Sequence, residues 1–526
     1  MHVPLLLTDF LDRAVELYGE KAAIIGDDRV LTYKQMNCRV NQLSRGLQSL
    51  GVEKGDKVAY LAPNTAEMFE GFYGVFQVGG IMTPLNTRLK ATDYQFILEH
   101  SESKVLFVDQ ELFHLVADVI PKLEQLQHVI VHGSGNDAFI SYESWLSTYS
   151  DAPFKRMELE ETDIASLLYT SGTTGNPKGV LLSHRSNYLH ALSAMHHLRV
   201  NDQDTLLHVL PMFHVNGWGS PFYYTANGAT QVMLRKTDPD LILEKIRKHS
   251  VSVLHMAPTV LNMVLEAFEK VKPDIRQDVR VVIAGSAPPA AFVKKVEEKL
   301  GWKFIQVYGM TEISPLITTS ELRSMDLGSA PEEIYRLKAK AGYAMIGSKV
   351  KVVDELGSQV PNDAKTIGEI ITRTNGVMEG YYKNTEATSA AIRNGWLHTG
   401  DMAVVDQNGN IEIVDRKKDV IISGGENISS IEVEGILYEH PSILEAAVVS
   451  IPHEKWGEVP HAVVVLREGE VATEDELIAF CREKLAHFKA PKSITFSEEL
   501  PKTASGKIQK VVIRKSFWKD RNRLVN

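Results

Sequence analysis

Short runs in which almost every residue is apolar, "DKVAYLAP", "SKVLFVD", "QHVIVHG" and "VRVVIAG", alternate up to about residue 400 with longer segments whose apolar positions recur at helical spacing. Continuous apolar runs read as strands buried on both faces, and the intervening periodicity reads as helices that cover them. The pattern predicts an α/β fold: a large layered N-terminal domain with parallel-rich sheets flanked by helices. One segment shows the kind of site such a fold offers. "VRVVIAGSAPPAAFVKKVEEKL" runs from strand through Gly285 and Ser286 into a helix expected to open with prolines, where a missing N–H costs little. Its turn lies where a ligand meets the carboxyl edge of a sheet, but it lacks GxGxxG, which disfavours NAD.

The texture changes after "GWLHTGDMAVVDQNGNIEIVDRKKDVIISGGENISS". Turn signals sit at Asn408-Gly409 and Gly424-Gly425, and Lys417, Lys418 and Asp419 break two apolar runs. The domain boundary is placed there, giving residues 1–417 and 418–526. In the second part, Ser429 with Glu432 and Thr473 with Glu476 form candidate capping boxes. Two β-rich runs, "EAAVVSI" and "HAVVVL", lie between these helices, and helical spacing continues from Leu477 to Phe488. A small α+β C-terminal domain is expected.

Composition narrows the class. The chain has 526 residues, 44% hydrophobic and 24% charged, which is ordinary for a water-soluble globular protein and too long for one core. No apolar run approaches the roughly 18 residues of a membrane span. The N-terminus "MHVPLLLTDFLDRA" lacks a basic flank and a small-residue cleavage site, so it reads as a helix start and the protein as cytoplasmic. Two cysteines, Cys38 and Cys481, offer neither a disulfide framework nor a zinc spacing. A formal net charge of −10 argues against a nucleic-acid partner, although the tail from Lys502 is basic and suits a polyphosphate.

"LLYTSGTTGNPKGVLLSH", residues 167–184, interrupts an apolar strand with glycines, hydroxyls and Lys178. Backbone N–H groups freed of side-chain bulk, hydroxyl donors and one cation suit a phosphate. The Walker pattern is absent, because Pro177 precedes the lysine and Gly179 follows it. With "PMFHVNGW", "QVYGMTE", "GWLHTGD", "VDRKKDVIISGGENISS" and "PKTASGKIQK" in order, the chain closely resembles the adenylate-forming superfamily, specifically its acyl-CoA synthetases. The resemblance implies two half-reactions. A carboxylate attacks the α-phosphate of ATP, releasing pyrophosphate, and the thiol of coenzyme A then displaces AMP from the acyl-adenylate.

The resemblance also implies roles. Thr170, Ser171, Gly172, Thr173, Thr174, Gly175 and Lys178 match the pyrophosphate-binding segment, and Glu312 matches the magnesium-binding glutamate, with Thr170 as a second metal contact. Asp401 and Arg416 match ribose-binding residues; Tyr308 offers adenine a ring, Gly285, Ser286 and Ala287 form the opposite wall, and Gly309 and Thr311 complete the nucleotide set. Lys507, behind a Ser-Gly pair, matches the catalytic lysine of adenylation. A catalytic lysine on a small domain behind a polar break implies that the domain is mobile, and Lys418 is the hinge position. Gly424, Gly425, Asn427, Trp456, Phe488, Lys489 and Lys492 are the coenzyme A candidates, Gly425 lining a path that a β-carbon would narrow.

For the acid, His214 matches a catalytic gate beside the carboxylate. Trp218, four residues on, is expected on the same helix face, with Val215 and Met310 nearby. No basic residue in this stretch pairs with a second carboxylate. The expected substrate is a medium- or long-chain fatty acid; the alternative is a short, thioether-containing, branched or aryl monocarboxylic acid. Family members associate through the large domain, so a homodimer is a candidate state. An amino-acid-activating domain is expected to carry an aspartate near "FHVNGW", and a non-catalytic binding protein to have lost Lys507, Glu312 or Asp401. Neither description fits.

Overall fold

A computed structural model describes residues 1–133, 139–170, 177–285, 288–503 and 506–518. Within these residues, two large sheets carry the N-terminal part. The first has the strand order Gly380–Tyr381, Lys178–Ser183, Ile164–Thr170, Ile81–Pro84, Lys57–Leu61, Ser103–Asp109, His128–His132, Ile140–Ser141. All its pairs from Ile164–Thr170 onward are parallel, whereas Lys178–Ser183 runs antiparallel to Ile164–Thr170, with Thr170 opposite Lys178. The second sheet is parallel from Lys303–Gly309 through Arg280–Ile283, Val253–Met256, Thr205–Leu207 and Thr230–Val232 to Ala22–Ile25. It closes at each end with antiparallel strands.

The apolar runs become these inner strands because they can be covered on both faces. The helix Ala66–Gln77 shows the consequence: every residue but Glu67 is buried, and Phe72 and Phe76 meet Phe222 in the same core. A polar face would be incompatible with that position. An antiparallel sheet follows, in which Trp396–Val405 pairs with Ile411–Arg416 and sets Asp401 opposite Arg416. The Asn408-Gly409 turn therefore joins a hairpin within this sheet.

Residues beyond Ile421 build a separate, smaller core around Ile421, Val433, Val448, Val464 and Cys481. Strands Ile443–His453 and Gly457–Leu466 form its long hairpin; the helix Ser430–Tyr438 packs on the first of them, and the helix Glu474–Lys484 packs on Ser430–Tyr438 and on the adjoining strand Ser493–Phe496. Ser429 accepts from the Glu432 N–H, and Thr473 with Glu476 makes a complete capping box. Two expected details shift. The helix after Cys481 ends at Lys484, so Phe488 is not on it, and Pro289 caps the helix Ala290–Leu300 from outside its first turn.

Candidate active site

The carboxyl ends of the strands Ile164–Thr170 and Lys303–Gly309 deliver the first cluster. The Thr170 hydroxyl donates to the Lys178 carbonyl at 3.5 Å, and the Lys178 ammonium stands 5.0 Å from the centre of the Tyr381 ring. The Tyr381 hydroxyl donates to Glu312 Oε1 at 2.8 Å. Ser171, Gly172, Thr173, Thr174 and Gly175 lie outside the described residues, as do Ser286 and Ala287. Tyr381 escaped sequence reasoning because "GYYKN" carries no period and no chemistry of its own; only its pairing beside Val180 brings it here.

Glu312 is 8% exposed, and burial pushes its carboxyl up despite the Tyr381 bond and the Arg416 charge. A buried carboxylate short of compensating charge fits a hard cation. Among the described residues no cluster of three or more His, Cys, Asp or Glu could hold a metal by itself. That donor set suits Mg²⁺, which takes one or two carboxylates and completes its shell with phosphate oxygens and water. Gly309 is fixed sterically: a β-carbon there would stand 1.7 Å from the Pro315 carbonyl oxygen, which also accepts the Met310 N–H at 2.9 Å. Thr311 begins the short turn Thr311–Ile313 that turns Glu312 inward, and Gly285 has φ +101°, a backbone state that favours glycine.

The second cluster joins to the first. The Tyr308 hydroxyl donates to Asp401 Oδ2 at 2.7 Å, and Arg416 Nε stands 3.7 Å from Asp401 Oδ1. Lys507 comes to the same place from the small domain. Burial, then the Arg416 charge, pushes its ammonium down to about 7, while Asp401 and Asp419 act in the opposite sense. Burial, together with the Lys507 charge, pushes His214 down to about 4 and leaves it neutral near pH 7. Thr259, at the start of the helix Pro258–Val271, donates to the Gly506 carbonyl at 2.8 Å and so docks the lysine loop on the large domain. Gly506 has φ +85°, and a β-carbon there would meet the Thr259 hydroxyl at 2.7 Å. Thr259 carried no signal in the sequence.

The stretch after His214 is not the regular helix expected. Val215, Asn216, Gly217, Trp218 and Gly219 all have positive φ, between 49° and 73°, so the helical i, i+4 argument linking His214 to Trp218 does not hold. Left-handed runs are costly for L-residues and need outside support. Asn216, fully buried, supplies it by donating to Ser166 Oγ at 3.0 Å and Asn187 Oδ1 at 3.3 Å. Val215 is buried beside it, Met310 packs at the edge of the same core, and the Trp218 indole stacks on His255 at 5.9 Å and 25°. His255 in turn contacts the rings of Tyr223 and Tyr224.

The coenzyme A candidates are divided. Gly424 and Gly425 turn a hairpin between Ile421–Ser423 and Glu426–Ile428, with Asn427 exposed on its second strand. The Gly424 N–H donates to the Trp456 carbonyl at 2.9 Å, and a β-carbon on Gly424 would meet the indole at 2.7 Å. A β-carbon on Gly425 would meet no protein atom within 4 Å, so it would project into open space beside the hairpin. Trp456 and Phe488 are 44% and 41% exposed. Lys489 is paired with both oxygens of Glu432 at 2.8 Å, and Lys492 donates to the His487 carbonyl at 3.4 Å. At Lys418, burial and the Arg416 charge lower the ammonium, and its carbonyl accepts from Arg514 at 3.1 Å.

The sequence matches the model of AMP-binding enzymes over residues 11–382 and that of the AMP-binding enzyme C-terminal domain over residues 432–507. It is 39% identical to the peroxisomal butyrate–CoA ligase AAE11 of Arabidopsis thaliana (98% of this chain, 93% of the relative). It is also 39% identical to the 2-methylpropanoate–CoA ligase CCL4 of Humulus lupulus (97% and 95%). To the peroxisomal benzoate–CoA ligase of Arabidopsis thaliana it is 38% identical (98% and 93%). The anthranilate CoA ligase AuaEII in complex with anthranoyl-AMP superposes with a TM-score of 0.90 at 28% identity, covering 98% of both chains. Relatives named peroxisomal overturn the cytoplasmic reading, which rested on the composition of the N-terminal stretch and on apolar runs too short to span a membrane, features that do not separate these compartments. Both matched models and near full-length similarity to CoA ligases place the chain in the AMP-binding enzyme family: it is an AMP-forming acyl-CoA ligase of the adenylate-forming superfamily.

Proposed function

We propose that this ligase activates a short, branched or aryl monocarboxylic acid, in place of the medium- or long-chain fatty acid expected from the sequence. Its relatives support this reading by acting, by name, on butyrate, 2-methylpropanoate and benzoate. The packing supports it as well. Trp218 is backed by His255, which is itself ringed by Tyr223 and Tyr224, all buried, so the indole stacks on filled core.

In the first half-reaction the acid carboxylate forms a bond to the α-phosphorus and the bond to the bridging oxygen breaks, releasing pyrophosphate. Lys507 places positive charge between the two anions, and the neutral His214 orients the carboxylate. Asp401 and Arg416 hold the ribose, Tyr308 covers the base, and Thr170, Lys178 and the glycine-rich loop hold the leaving pyrophosphate. Glu312 and Thr170 would hold Mg²⁺, which supplies charge neutralisation at the phosphates. In the second half-reaction the coenzyme A thiolate attacks the acyl carbonyl and AMP leaves, with Gly424, Gly425, Asn427 and Trp456 along the approach.

The boundary belongs at 417/418, with Lys418 the hinge about which the small domain moves between the two steps. The peroxisome is the compartment favoured by the relatives' names, and a homodimer formed through the large domain is part of the same proposal. The observation carrying the mechanism is the convergence of Lys507 with Asp401, Arg416 and His214. A panel of acids from acetate through palmitate, with benzoate and cinnamate, assayed for coenzyme A-dependent AMP release, tests the substrate class. Highest kcat/KM is expected on four- or five-carbon, branched or aryl acids; highest kcat/KM on palmitate would contradict it.

A further inference from the structure

Outside the substrate site, a group of largely buried charges surrounds residue 418. The helix Lys510–Lys515 begins three residues after Lys507 and inserts two cations there. Lys510 Nζ meets Glu434 Oε1 at 2.7 Å and donates to the Ser430 hydroxyl. Ser430 in turn donates twice to Asp415 Oδ2, from its backbone N–H at 2.7 Å and from its hydroxyl at 2.6 Å. Next to it, the Ser429 hydroxyl donates to the Val414 carbonyl. One turn along the helix, Arg514 donates to the Lys418 carbonyl at 3.1 Å and to Asp419 Oδ1 at 2.6 Å.

These contacts differ in where they fall relative to residue 418. Lys510 with Glu434, and Arg514 with Asp419, join groups that all follow it and travel together. Ser429 with Val414, and Ser430 with Asp415, join the two sides and must separate if the chain turns at 418. The Lys418 carbonyl shares a rigid peptide plane with Asp419, so its bond to Arg514 travels with the small domain as well. We propose that Asp415, Ser429, Ser430 and Lys510 form a latch that holds the small domain in the orientation seen here and thereby registers Lys507 in the adenylation site.

These are positioning residues, and the inference rests on the hinge reading above. Asp415 is a buried carboxylate that accepts twice from Ser430, and such a group discriminates between alternative arrangements because its charge is costly wherever those donors are missing. A latch of this kind shifts a two-state equilibrium only by contacts made in one state and lost in the other, which describes the bonds that cross residue 418. The helix serves both ends: its start follows the loop docked on Thr259, and its Lys510 donates to the Ser430 hydroxyl that bonds Asp415 across the hinge.

The test uses the full chain with Ser430→Ala and Asp415→Ala, Ser430→Thr as the conservative control that keeps the hydroxyl, and Lys507→Ala in parallel. Acid-dependent ATP–pyrophosphate exchange is expected to fall about 10-fold in Ser430→Ala and Asp415→Ala, the effect of losing one or two such bonds. Conversion of supplied acyl-AMP to thioester should stay within about twofold or rise, and Ser430→Thr should recover most of the exchange. Equal losses in both half-reactions accompanied by a lower unfolding midpoint, or no loss in either, would overturn the latch. If Lys507→Ala also failed to separate the half-reactions, the hinge reading itself would fall; if it separated them while the latch variants did not, only the latch would.

Discussion

At the scale of single residues, the site works by placing groups where their ordinary charge states are disfavoured. Lys507 is pushed down to about 7 by burial and by Arg416, so in the free protein its charge is lost as pH rises through that value. ATP and acid, both anionic, restore it. The acid-dependent exchange reaction should therefore show a kcat/KM that declines above about pH 7, and a kcat whose decline lies at higher pH, because the first reports the free enzyme and the second the complex. His214, held near 4, should contribute no limb above pH 5. Parallel kcat and kcat/KM profiles through pH 6–9 would show that Lys507 does not titrate in the step. Lys507, Asp401, Arg416 and Glu312 were legible in the sequence because each stands in a motif. Tyr381 and Thr259 were not, since a lone tyrosine or threonine acquires meaning only from the partner that folding brings to it.

At the scale of elements, strand positions were legible because continuous apolar runs have few other uses: "SKVLFVD" and "VRVVIAG" became Ser103–Asp109 and Arg280–Ile283. The loop after His214 was misread because its spacing imitates a helix while its backbone is left-handed. No pattern of apolar positions reports the sign of φ. The clue lay in Asn216 between Gly217 and an apolar neighbour, a residue that tolerates this region and can bond locally. Asn216→Ala should loosen the loop while leaving the nucleotide clusters in place. KM for the acid is expected to rise about 10-fold, corresponding to roughly 1–2 kcal/mol of lost hydrogen bonding, with KM for ATP changed less than twofold. Matching increases in both constants would show that the loop does not act on the acid alone. The coenzyme A candidates were the least legible, because exposed glycines and lysines do many things; Lys489 proved to be paired with Glu432.

At the scale of the whole molecule, two parallel-rich sheets bring strand ends together at the candidate nucleotide site, and a small domain with its own core brings Lys507 beside Asp401 and Arg416. The departure of "YTSGTTGNPKGV" from the Walker pattern makes sense in this setting. A loop that retains the departing pyrophosphate needs no lysine at the point of attack, and Lys178 instead stands over Tyr381. On the proposed mechanism, the lysine that meets the reacting atoms is carried by the other domain, and the same domain withdraws before a thiol reaches the acyl carbonyl. The most direct measurement is of Lys507→Ala in the full chain, with each half-reaction assayed separately. Acyl-AMP formation should fall by about 10²–10³-fold, the usual loss for one preorganised charge at a reacting centre, while conversion of supplied acyl-AMP to thioester remains within about threefold. Equal losses in the two half-reactions would contradict the division of labour between the two orientations of the small domain.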